Sequence, residues 1–168
     1  MSGMEQLLYR YVDDLLNEAN ASLVSILHSR TFRDYDPLRI PGVLQPVGRI
    51  GNIHDVEAQL KVLGAPGVDI HFTLEDWFEG SAERIAYRLF GEGTVPLLAS
   101  DGHTSELTPV ANRVRKLGIE GSKLAVSYSE AQNGFVTGDR LQITFRTVGI
   151  FRGREDKLVE RWGQAQVG

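Results

Sequence analysis

The sequence predicts an α+β domain in which amino-terminal helices pack on one face of a curved antiparallel sheet, together forming a cone-shaped barrel. Three observations carry this. Apolar residues recur at helical spacing up to Leu27. From Val68 onward they alternate along the chain, as on a half-buried strand. The two clearest strand runs each lead through turn residues into another apolar run, which makes two hairpins.

Ser2-Gly3-Met4-Glu5 fits a capping box, in which Ser and Glu each satisfy a backbone donor at the helix start. Met4, Leu7, Leu8, Tyr11, Val12, Leu15 and Leu16 then form one broad apolar stripe, with Tyr11 inside it. Asn17 to Asn20 is a weak break, and Leu23, Ile26 and Leu27 suggest a second short helix. Pro37, Pro41 and Pro46 rule out a regular helix or central strand there, so a short strand near Phe32 to Tyr35 is followed by a long irregular segment. Asn52 caps a third helix whose apolar positions are Ile53, Val56, Leu60 and Leu63, and Gly64 with Pro66 stops it.

Val68, Ile70, Phe72 and Leu74 alternate with polar residues and read as a strand. Glu79-Gly80-Ser81 reads as a turn, and Arg84 to Phe90 as the returning strand, running out at Gly91-Glu92-Gly93. Thr108-Pro109 starts a helix that Gly118 ends, Lys123 to Tyr128 suggests a short strand, and Asn133-Gly134 and Thr137-Gly138-Asp139 are turns. The last hairpin runs from Leu141 to Phe151 and from Leu158 to Trp162, joined by the polar link Arg152 to Lys157. Leu141, Ile143, Phe145, Thr147, Gly149 and Phe151 share one face; Gln142, Thr144, Arg146, Val148 and Ile150 share the other, which begins polar and turns apolar, as if partly covered.

At 168 residues this is one domain, 1–168, with an insertion at about 101–136. A net charge of −4 and the lack of any basic–aromatic stripe argue against nucleic acid. Without cysteine, thiolate catalysis, disulfides and Cys-ligated metals are excluded. No apolar run is long enough for a membrane helix, and no secretory signal is visible, so a cytoplasmic protein is expected.

Thr137-Gly138-Asp139-Arg140 leading into LQITFRTVGIFRGREDKLVERW resembles the last hairpin of SnoaL-like proteins, polyketide cyclases and their relatives in the nuclear transport factor 2-like, or ketosteroid isomerase-like, superfamily. The segment IHFTLEDWFEGSAERIAYRLFGEGT resembles their preceding hairpin; with the opening helix the likeness spans roughly two-thirds of the chain. It implies a cone with an apolar pocket, no metal or organic cofactor, a hydrophobic small-molecule ligand, and a homodimer through the outer face of the sheet. There are two departures. Relatives often carry an acid just after the final-strand Trp, where Trp162 is here followed by Gly163 and Gln164. The stretch from Asp101 to Val136 is also longer than the usual link between the hairpins.

Asp36, before Pro37, resembles by position the general base of ketosteroid isomerases; an apolar setting would raise its pKa and suit it to moving a proton next to a carbonyl. Its alternative role is simply to start a turn. Tyr11 resembles the isomerases' oxyanion-donor tyrosine, against the alternative of helix-face packing. The isomerases' second, acidic donor has no counterpart in Thr147-Val148-Gly149. His71, Trp77, Arg88, Arg146 and Trp162 are candidate substrate contacts. Against them stand a sheet-face histidine, core aromatics, and arginines in cross-strand ion pairs on the outer face. The scattered histidines have no metal-ligand spacing.

The expected function is a cofactor-independent cyclase or isomerase using acid–base chemistry on a hydrophobic, carbonyl-containing or cyclic small molecule. A non-catalytic binding or assembly module on the same scaffold is the alternative. An epoxide hydrolase-like enzyme, which needs an Asp-Arg-Asp set, is the third.

Overall fold

The computed structural model describes residues 1–35, 50–96, 135–137 and 140–167. Helix α1 (Gly3–Tyr9) runs directly into a π-helical stretch, Arg10–Asn17. The Ser2 hydroxyl accepts from the Glu5 amide, the serine half of the expected capping box, and donates to Glu79 on the sheet. The π stretch has a cause in the sequence. Leu7/Leu8, Tyr11/Val12 and Leu15/Leu16 repeat every four residues, and on an α-helix each such step drifts by about 40°. Winding i→i+5 widens the turn and keeps Tyr11, Val12, Leu15 and Leu16 on one buried face.

A 3₁₀ turn (Ala21–Leu23) and the single-turn α2 (Val24–Leu27) lead into β1 (His28–Asp34). Helix α3 (Ile53–Leu63) has both halves of a capping box between Asn52 and Asp55, and Gly64 ends it as expected. Then come β2 (Asp69–Ser81), β3 (Arg84–Pro96), β4 (Phe135–Thr137), β5 (Arg140–Arg154) and β6 (Lys157–Val167). The expected helix after Thr108, the strand at Lys123 to Tyr128 and the Asn133-Gly134 turn lie outside the described residues.

The sheet runs β1-β6-β5-β3-β2, with β4 on β5. It is mixed rather than wholly antiparallel, because β1 lies parallel to β6. It is also open rather than a closed barrel, with β1 and β2 as its edges. Register shifts between Leu74 and Asp76, between Glu79 and Ser81, and between Arg152 and Gly153 bend it. The strands outrun their sequence signals: β2 continues through Glu79-Gly80-Ser81, and β3 through Gly91-Glu92-Gly93. The polar link to β6 shrinks to a two-residue turn in which Glu155 and Asp156 both take positive φ, 52° and 59°.

The helices cover one face. Phe72, Ile85, Tyr87, Leu89, Phe145, Phe151 and Leu158 meet Leu8, Tyr11, Val12 and Leu15 there in one core. Phe145, Thr147, Gly149 and Phe151 face inward together, as the alternation along β5 required. Asn17 fastens the helical segment to the β2 edge. Its amide donates to the Phe72 carbonyl at 2.9 Å and accepts from the Phe72 N–H at 2.8 Å, taking the place of a missing strand partner.

Candidate functional site

Four polar side chains meet inside this apolar face, each placed by a different element. Asp34 ends β1, and its Cα partner on β6 is Arg161. Arg161 is 2% exposed, donates through Nη1 to the Asp34 carboxylate at 3.2 Å, and donates through Nε to the Tyr87 hydroxyl at 2.6 Å. Tyr87 comes from β3, and its ring stacks on Phe151 at 4.9 Å between centroids. Tyr11, from the π stretch, meets the same Phe151 edge-on at 4.7 Å.

Two glycines make room for this. Tyr87 lies across from Gly149, which lies across from Gly163. A Cβ on Gly149 would run into the Tyr87 hydroxyl, and one on Gly163 into the Arg161 guanidinium. The sheet floor is thus cut away where the two polar heads lie.

The electrostatics follow from burial. Loss of solvent, reinforced by Tyr87 and Asp34, pushes the Tyr11 hydroxyl well above the usual phenol range despite the opposing charge of Arg161, so it stays a neutral donor. It makes no hydrogen bond among the described residues. Burial works against the Arg161 charge, but Tyr87, Asp34 and Tyr11 outweigh it and hold the guanidinium protonated. The Thr147 hydroxyl, two residues from Gly149 on the same face of β5, is buried without a partner among the described residues. A fixed cation beside the neutral Tyr11 phenol, in a water-poor setting, suits the stabilisation of negative charge developing on an oxygen.

Of the residues singled out from the sequence, Tyr11 lies in this cluster, and Asp36 lies outside the described residues. His71, Arg88, Arg146 and Trp162 do not reach the helix-covered side. Their positions on the strands turn them to the opposite face, because inward Phe72, Tyr87, Phe145 and Arg161 alternate with them. There Glu75 pairs with Arg88 at 3.0 Å and with Arg146 at 3.3 Å, the outer-face ion-pair arrangement. Trp162 stacks on Tyr35 at 5.3 Å. Trp77, half-exposed on edge strand β2, leans on Tyr9 of α1. Asp34, Tyr87 and Arg161 were not anticipated from sequence. The usable signal for Arg161 was a charged residue in an apolar strand, but Leu158 and Arg161 face inward three residues apart because the register shift opposite Arg152 and Gly153 leaves an extra residue on β6, which simple alternation does not foresee. Among the described residues no group of His, Asp or Glu is arranged to hold a metal ion.

Solved structures share this architecture. One is a SnoaL-like polyketide cyclase from Agrobacterium tumefaciens, 16% identical, with a TM-score of 0.58 over 99% of this chain and 93% of that one. The chain has the SnoaL-like fold. IdmH from Streptomyces antibioticus, a candidate polyketide cyclase, shares it at 12% identity and a TM-score of 0.58, over 96% of this chain and 91% of that one. AclR from Streptomyces galilaeus, a candidate hydroxylase, shares it at 14% identity and 0.56, over 97% and 78%. No protein-family model matches the chain, and no curated protein matches it. At these identities the SnoaL-like likeness is one of fold, and the polar cluster must speak for the chemistry.

Proposed function

We propose that the protein is a cytoplasmic, cofactor-free enzyme that applies acid–base chemistry to a hydrophobic, carbonyl-containing or cyclic small molecule. The observation that carries this reading is the buried Arg161–Asp34–Tyr87 network with Tyr11 beside it, in an otherwise apolar interior. Arg161 and Tyr11 would stabilise an enolate-like oxygen, and a carboxylate, Asp36 or Asp34, would move the proton. The test is turnover of a carbonyl substrate identified from material that co-purifies with the protein. Asp36→Asn and Tyr11→Phe should each lower kcat by about a hundredfold. Unchanged turnover in both would remove the mechanism.

A binding module is the second reading, and one feature favours it: among the described residues Asp34 is the one buried carboxylate, and Arg161 already neutralises it. The same feature counts against an Asp-Arg-Asp hydrolase set. A tight ligand that emerges chemically unchanged after incubation would select the binding module.

We further propose a homodimer through the outer face of the sheet. Phe78, Ala86, Ile150, Trp162 and Tyr35 stand in one cross-strand row, and Phe78 is 72% exposed. Val148 lies beside the row, over a depression of about 260 Å³. Exposed apolar rows of this kind mark contact surfaces. Sedimentation should show a dimer that Ile150→Glu converts to monomer, and a monomeric wild type would end the proposal.

A further inference from the structure

Beyond the apolar row, one end of the sheet concentrates positive charge that the fold leaves poorly matched. Arg84 stands opposite Arg152, and Arg154 opposite Lys157. Like charges directly opposite one another destabilise a sheet, yet these occur in a chain whose net charge is −4. Among the described residues Arg152 is neutralised by Glu160 at 2.9 Å, and Lys157 donates to the Ser25 carbonyl at 2.7 Å. Arg154 is exposed and has no partner among them.

The mismatch sits beside a groove. Between the pairs His28–Leu158 and Arg33–Glu160, β1 advances five residues while β6 advances two, so β1 bulges away from its neighbour. A groove of about 500 Å³ opens there, lined by Ser29, Thr31, Arg152, Arg154, Glu155 and Lys157. The Ser29 and Thr31 hydroxyls are hydrogen-bonded to each other at 3.1 Å. Glu155 and Asp156 hold left-handed conformations, unfavourable for both residue types compared with glycine. That tight turn is what sets Arg154 and Lys157 side by side. Two departures from local preference, backbone and electrostatic, thus converge on one groove, as happens where function sets the sequence.

We propose that this groove binds a phosphate monoester, at a site separate from the interior cluster. A phosphate dianion balances the Arg154–Lys157 pair in the groove, which a monoanion does only in part. Guanidinium groups match its oxygens in bidentate fashion, and the Ser29–Thr31 pair, with one hydroxyl hydrogen used between them, has the other to donate. The remaining groove volume takes the organic part of a small molecule.

Calorimetric titration of the full chain with inorganic phosphate and with phenyl phosphate, at constant ionic strength set with sodium chloride, tests this. Phenyl phosphate should bind, and more tightly than inorganic phosphate. Arg154→Ala should weaken both by about tenfold or more, since a charge-assisted contact is lost. Glu155→Gln, which removes the carboxylate lining the groove, should tighten both; a merely structural role for the turn would not produce that gain. No binding beyond the chloride control, or equal binding by Arg154→Ala, would overturn the proposal. Binding to phosphatidic acid vesicles without binding to phenyl phosphate would overturn the small-molecule assignment.

Discussion

His28 makes stability depend on pH in a calculable way. It is 1% exposed at the start of β1, its Nδ1 donates to the Val24 carbonyl at 3.1 Å, and its Nε2 has no partner among the described residues. The Phe32 and Tyr11 rings meet it edge-on at 4.6 and 6.1 Å. Burial, with a smaller push from Lys157 and against the pull of the Val24 bond, lowers its pKa from 6.5 to about 4. Between those values the unfolded chain binds a proton that the folded chain refuses, so stability is full above pH 6.5 and falls as the pH drops. The loss from pH 7 to pH 5 is about 2 kcal/mol, approaching about 3 kcal/mol at the acid limit. Urea denaturation at both pH values and fixed ionic strength measures it, with His28→Phe as control. That variant keeps the ring packing, gives up the Val24 bond at every pH, and should lose this component of the pH slope. Equal slopes in wild type and variant would refute the argument, because some other group would then be responsible.

Two more perturbations probe the interior and its anchor. Arg161→Met strips Asp34 of its guanidinium and should cost about 3–5 kcal/mol, with Asp34→Asn restoring part of the loss in the double variant; urea denaturation of the full cycle reports this. Asn17→Ala removes both bonds to the Phe72 backbone and should cost about 2 kcal/mol, with faster hydrogen exchange concentrated in β2.

What could be read in advance was local. Helix α3 announces itself in Asn52 and Gly64, and the inward set on β5 follows from simple alternation. What could not be read depends on distant partners. The parallel pairing of β1 with β6 joins residues far apart in the chain, and neither strand's composition encodes it. The ends of β2 and β3 were misplaced because glycines that interrupt a propensity pattern are tolerated when neighbouring strands supply the hydrogen bonds. Arg88 and Arg146 break apolar runs, which alone left both a pocket face and an outer-face ion pair open; Glu75, distant in sequence from Arg146, answers both on the outer face.

The final strand shows how one missing side chain can reverse the character of a site. SnoaL-like proteins often carry an acid just after the tryptophan; here Gly163 follows Trp162, and the guanidinium of Arg161 lies over it. The interior at that point therefore presents a cation, and position 163 supplies no carboxylate. Gly149, across the strand, gives Tyr87 the room to hold that cation in place, and Asp34 fixes it from the other side. Under the proposed acid–base reading, such a site would gain most from negative charge accumulating on an oxygen beside Arg161. Arg161, Gly163, Gly149 and Tyr87 thus act as one unit: restoring an acid at position 163 without shortening Arg161 would force two side chains into the space of one.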